Sequence, residues 1–166
     1  MNIVLYEPEM PMNTGNIGRS CVATKTKLHL IEPLGFRLSD REIKRAGLDY
    51  WPHLDVTVYS DYRDFLDRNP GAKIYMATTK GLKVYSDVEY EPDCFLMFGK
   101  ESAGIPEEIL LDNQETAIRI PMIGNIRSLN LANSVSIVLY EALRQNRFGE
   151  LNPAGQLHRL HWNGEN

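Results

Sequence analysis

Cysteine is scarce in this chain of 166 residues: Cys21 and Cys94 lie far apart and form no CxxC pair. That excludes a disulfide framework and a zinc site of ordinary ligand spacing. Long apolar runs are missing too, and nothing approaches the roughly 20 residues that span a bilayer. The amino terminus enters apolar sequence at once, without the basic segment and apolar core of a secretory signal. A cytoplasmic protein with no membrane partner is expected. Positive charge is short overall, at a net charge of −4, which excludes a whole-molecule basic field and leaves DNA unexpected as a partner. Basic residues are nonetheless clustered at Lys25 and Lys27, at Arg37, Arg41, Lys44 and Arg45, and at Arg144 and Arg147. Phosphate contacts need only such local charge.

Two glycine signatures are also absent. Gly15 and Gly18 lack the third glycine of a dinucleotide fingerprint and the Gly-Lys-Ser/Thr ending of a P-loop. On spacing alone they read as a tight turn capped by Asn13 or Thr14, leading into a helix that runs to about Thr24. Arg19 then falls one turn inside that helix, where a cation opposes the macrodipole. No Ser/His/Asp or Cys/His arrangement stands out. His29 and His53 are isolated and read as structural. His158 and His161 lie three apart with no third ligand, so no metal is expected.

What is present is an alternation of strands and helices. A hydrophobic content of 43% and a charged content of 24% are those of an ordinary soluble domain. Apolar strands are expected over 2–6, 28–32, 56–59, 73–78, 94–98 and 118–120. Helices are expected over 39–46, with Ser39 and Glu42 as a capping box and Gly47 at its end, over 61–69, from Pro106, and from Leu131. The alternation predicts one α/β domain over 1–149 with a mostly parallel sheet flanked by helices, followed by a polar tail over 150–166.

The densest chemistry lies over 118–146. A short strand is stopped by Pro121, a polar loop over 124–130 packs four polar side chains into seven residues, and an amphipathic helix follows. Loops over 78–81, 99–104 and 122–130 all follow apolar strands and should leave the same edge of a parallel sheet, where ligands bind in such folds. Gly99 and Gly104 would let backbone approach a ligand closely. Backbone groups, hydroxyls and the apolar Met97, Ile120, Met122 and Leu129 suit an adenine-bearing ligand.

Three segments carry a resemblance. NTGNIGR at 13–19, LMFGKESAGIP at 96–106 and IPMIGNIRSLNLANSVSIVLYEA at 120–142 resemble the three motifs of the SPOUT-class RNA 2′-O-ribose methyltransferases. LYEPEMPMNTGNIGR and HLIEPLGF bring the chain closest to the members that act on the wobble cytidine or uridine of tRNA. Lys25-Thr26-Lys27 departs from the family, where a glycine ends the first helix.

The resemblance implies a trefoil knot in the C-terminal half, S-adenosylmethionine as cofactor, tRNA (leucine isoacceptors) as substrate, and a homodimer packed through its first and last helices. It places the cofactor against Ala77, Thr78, Gly99, Ile120, Met122, Ser128, Leu129 and Asn130. Arg19 would stand beside the ribose 2′-oxygen, positioned by Asn13, Glu101, Ser128 and Asn130, with a carboxylate such as Glu101 or an RNA phosphate as its anion. Tyr140 reads equally as a core aromatic or an active-site residue. Alternatives left open are a 2′-O-methyltransferase for another tRNA or rRNA nucleotide, a doubly wound nucleotide-binding module, and an RNA-binding protein without catalysis.

Overall fold

The structure is a computed structural model that describes residues 1–38, 50–124, 126–160 and 162. The expected helix over 39–46 and its basic residues lie outside the described residues. Among the described residues, seven strands form one sheet: β1 (Asn2–Tyr6), β2 (Lys27–Ile31), β3 (Val56–Tyr59), β4 (Ile74–Ala77), β5 (Lys83–Val84), β6 (Phe95–Phe98) and β7 (Ala117–Arg119). Their order is β3-β2-β1-β6-β4-β7-β5, and every pairing among them is parallel. Six strands were expected. The seventh, β5, is only two residues long, too short for alternation to register.

Both faces of the central strands are apolar, as a doubly covered parallel sheet requires. Ile3, Leu5, Leu28, Leu30, Leu96 and Phe98 face one side, where α1 (Pro11–Thr24) brings Ile17 and Cys21. The last helix of the sheet's cover, over Leu131–Gln145, adds Val135, Val138 and Leu139 to the same layer. Val4, Ile31, Met76 and Met97 face the other side, against Phe65 and Leu110. Those two residues come from α2 (Tyr62–Arg68) and α3 (Glu107–Asp112), so the Leu131–Gln145 helix is α4.

Helix α1 departs from expectation. It begins at Pro11, whose fixed φ suits the first helical position, so Gly15 and Gly18 lie inside the helix rather than in a turn, and neither Asn13 nor Thr14 is its cap. Arg19 accordingly sits past the middle of α1, and the expected opposition to the macrodipole falls away. Gly18 has a packing reason instead: a Cβ there would lie 3.1 Å from Leu54, 3.3 Å from Trp51 and 3.5 Å from Tyr50. At the other end Lys25 adopts the left-handed conformation (φ 52°) and its amide reaches the carbonyls of Cys21 and Val22. Lysine holds this left-handed turn, where the resemblance leads one to expect glycine, at a cost of roughly 1 kcal/mol.

His29 is structural. It is buried in β2, with Nδ1 2.8 Å from the Tyr59 hydroxyl and Nε2 3.3 Å from Asn2 Oδ1. Asn2 spends its amide protons on the carbonyls of Asp93 and Cys94, so His29 must carry its proton on Nε2 and accept from Tyr59 at Nδ1. Burial holds the imidazole well below its usual range, at about 4.

Candidate active site

Strands β6, β4 and β7 are neighbours and parallel, so the loops after them leave one edge of the sheet, as expected. The loop after β1 joins them, because β1 lies beside β6. From β1 the chain moves outward to β2 and β3, whereas from β6 it moves the other way to β7. The β1/β6 boundary is therefore a topological switch point.

A continuous line of hydrogen bonds crosses that boundary. Glu101, in the loop after β6, accepts from the Glu9 amide (2.9 Å), the Met10 amide (3.3 Å) and Asn13 Nδ2 (2.9 Å). Met10 is the N-cap residue of α1 and offers no side-chain cap of its own, and no acidic residue occupies the first turn. Glu101 supplies the missing anion from 91 residues away. Asn13 Oδ1 then accepts from Asn130 Nδ2 (3.0 Å), and Asn130 Oδ1 accepts from the Asn133 amide (3.2 Å) as the N-cap of α4. A carboxylate can only accept, so the direction of every bond in this line is fixed from the Glu101 end. Three residues named from separate motifs thus form one unit.

The same loops are joined by residues that the sequence reading passed over. Ser102 donates to Glu9 through its amide (2.8 Å) and its hydroxyl (2.8 Å), which holds the Glu9 carboxyl below its ordinary value. Lys100 donates to Glu7 (2.7 Å), and that carboxylate holds the ammonium above its usual range. Glu7-Pro8-Glu9 registers in the sequence only as a strand break. The available signal was two carboxylates placed straight after an apolar parallel strand.

Two glycines also have a role inside their own loop. A Cβ on Gly99 would lie 2.0 Å from the carbonyl carbon of Gly104 and 2.2 Å from the Ile105 nitrogen. Gly99 is therefore required by its own loop, which doubles back so that the Gly104 amide reaches the Lys100 carbonyl (2.8 Å). Gly104 (φ 74°) makes that reversal. The close approach seen here is of backbone to backbone.

Around this framework lie the expected cofactor residues. Ala77 ends β4 and Thr78 follows it, both half-buried, and the Thr78 amide is tied to the Ile118 carbonyl (2.9 Å). Ile120 and Met122 are half-buried, while Ser128, Leu129 and Asn130 are exposed. Among the described residues, the main chain of 121–124 and 126–129 pairs with no other main-chain group. Unspent amides and carbonyls beside half-buried apolar side chains fit an adenosine held through backbone hydrogen bonds.

The structure does not gather every candidate. Arg19 is exposed on α1, six residues beyond Asn13 and so about a third of a turn round the helix. Its guanidinium lies 5.1 Å from the centre of the Tyr50 ring, and Tyr50 in turn donates to the Gly15 carbonyl. Glu101, once considered as its anion, is engaged instead by two amides and Asn13. Tyr140 is not a core residue: it is 48% exposed on α4, on one face with Ile137. Two concavities of about 290 and 280 Å³ open at the opposite, N-terminal edge, lined by Lys73 and Glu91 in one case and by Thr26 and Leu143 in the other. Neither touches the motif loops.

The SpoU rRNA Methylase family matches residues 1–140, which takes in all three motif loops and most of α4. The chain belongs to this family. Among SpoU relatives, the tRNA (cytidine(34)-2′-O)-methyltransferase of Escherichia coli K12 is 50% identical over 146 residues, covering 87% of this chain and 93% of its own. A solved structure concerned with 2-OH methylation of C/U34 on tRNA superposes with a TM-score of 0.82 at 44% identity, over 88% of this chain and 95% of that one. An AdoMet-bound rRNA methyltransferase from Sinorhizobium meliloti superposes at 0.75 with 27% identity, over 86% of this chain and 55% of that one. The parallel α/β fold of the SPOUT methyltransferases is thus the fold of this SpoU protein.

Proposed function

We propose that this protein methylates the ribose 2′-hydroxyl of the wobble nucleotide, cytidine or uridine 34, of tRNA leucine isoacceptors. It does so in the cytoplasm as a homodimer, with S-adenosylmethionine and without a metal. Residues 1–149 form the catalytic domain, with the expected trefoil knot, and 150–166 a polar tail. The observation that carries the proposal is the Glu101–Asn13–Asn130 line, which ties the three motif segments into one unit. Identity of 50% over 146 residues to an enzyme named for that nucleotide adds to it.

The cofactor supplies a methyl group activated by positive sulfur, so the protein's task is positioning and charge stabilisation. Ala77, Thr78, Gly99, Ile120, Met122, Ser128, Leu129 and Asn130 would hold it. The 2′-oxygen forms a bond to the methyl carbon as the carbon–sulfur bond breaks, and the hydroxyl proton leaves to an acceptor. Arginine stays protonated at any working pH, so Arg19 is not that acceptor. It orients the nucleotide and draws an RNA phosphate close. Because Arg19 lies exposed about a third of a turn round α1 from Asn13, it would serve the site of the partner subunit. Exposed Met12, Ile137 and Tyr140 on α1 and α4 support a two-fold contact through those helices.

Calorimetry with S-adenosylmethionine, NAD and ATP, alongside transfer of labelled methyl to unmodified tRNA, tests this. Heat with S-adenosylmethionine alone and label in tRNA are expected. Binding of NAD or ATP instead would mark a doubly wound nucleotide-binding module, and tRNA binding without cofactor binding would mark a protein that has lost catalysis.

A further inference from the structure

Glu9 is held from three sides. Its amide donates to Glu101, its carboxylate accepts both donors of Ser102, and Gly35 backs its main chain so closely that a Cβ on Gly35 would lie 2.7 Å from the Glu9 Cα. The Gly35 amide also donates to the Pro8 carbonyl (2.9 Å). One residue earlier still, Glu7 takes a left-handed backbone (φ 47°) while pairing with Lys100. A non-glycine residue in that region is uncommon and clusters at functional sites. The loops after β1 and β6 therefore exchange bonds in both directions: Glu101 accepts from Glu9, and Glu9 accepts from Ser102.

We propose that Glu9 is a positioning residue for methyl transfer, setting the register of the 99–104 loop against the start of α1 through Ser102 so that Glu101 meets Asn13. The proposal rests on the methyltransferase function set out above. Glu9 acts through Glu101, Asn13 and Asn130. The Glu9–Ser102 bonds are exposed to solvent, so their net contribution to folding is small. Their effect on geometry is not small. Glu101 is the residue next to Ser102, and its carboxylate fixes which way the Asn13 and Asn130 amides point. Releasing Ser102 to water frees Glu101 to move, and a displacement of about 1 Å near a reacting centre costs up to about 100-fold in rate.

The test is turnover of the full-length enzyme at saturating tRNA and S-adenosylmethionine, well below the melting temperature, for Glu9→Ala, Ser102→Ala, Ser102→Thr and the Glu9→Ala/Ser102→Ala pair. Glu9→Ala is expected to lower kcat by about 10-fold or more while KM for S-adenosylmethionine stays within about twofold. Ser102→Thr, which keeps both donors, should recover most of what Ser102→Ala loses. The double variant should be no worse than Glu9→Ala alone, because both break one unit. Amide hydrogen exchange at Met10 and Ser102, which needs no activity, should quicken in Glu9→Ala. Wild-type kcat in Glu9→Ala, additive losses, or unchanged exchange would overturn the proposal. An inactive wild type with quickened exchange in Glu9→Ala would instead refute the methyltransferase function and leave the clamp standing.

Discussion

Glu101 satisfies three donors with two oxygens, and that makes its charge harder to replace than its shape. Glu101→Gln keeps one acceptor but turns an amide toward the Glu9 or Met10 N–H, leaving two donors face to face. It is expected to lower stability by about 1–2 kcal/mol in urea unfolding and to reduce turnover as well. Gly99→Ala should cost about 2–3 kcal/mol because its Cβ has no room against Gly104 and Ile105. A variant of normal stability would contradict the loop geometry. Loss of cofactor binding in a Gly99 variant therefore cannot be credited to a blocked pocket. For Arg19→Ala the expectation is a folded dimer that binds S-adenosylmethionine as wild type does and loses about 100-fold in turnover. Lysine should rescue poorly, lacking the planar fork that meets two oxygens. Asn13, Glu101 and Asn130 were legible as motif residues. Their pairing was not, since bonds that join positions 88 and 117 residues apart leave no local period.

Among the elements, β2 carries a pH dependence of its own. The His29 imidazole, held at about 4 by burial, refuses a proton that the unfolded chain takes up at its usual 6.5. Its contribution is therefore constant above about pH 6.5 and is lost as pH falls toward 4, amounting to about 2–3 kcal/mol. Denaturant unfolding of wild type and His29→Gln across that window should diverge. Parallel pH curves would show that the Tyr59–His29–Asn2 network is not the cause. Strand and helix types were readable because apolar runs and 3.6-residue periods are local. The start of α1 was not, because its cap comes from Glu101 rather than from its own sequence. The β5 edge strand was missed for want of length.

On the scale of the whole molecule, the parallel sheet followed from the alternation of apolar strands and helices, and the common edge of the three motif loops followed from that. Strand order did not, since it is decided by contacts between segments far apart in sequence. Exposed Ile137 and Tyr140 on α4 and Met12 on α1 make a specific demand on assembly. Ile137→Asp should shift the protein from dimer to monomer in sedimentation velocity. A wild-type monomer would remove the partner subunit from which Arg19 is taken to act. The most direct test of all is the site of methylation. Purified protein, S-adenosylmethionine and an unmodified leucine tRNA should yield a single 2′-O-methyl group, located by mass spectrometry of nuclease fragments at nucleotide 34. A methyl group on a base, on another ribose, or nowhere would contradict the proposed reaction.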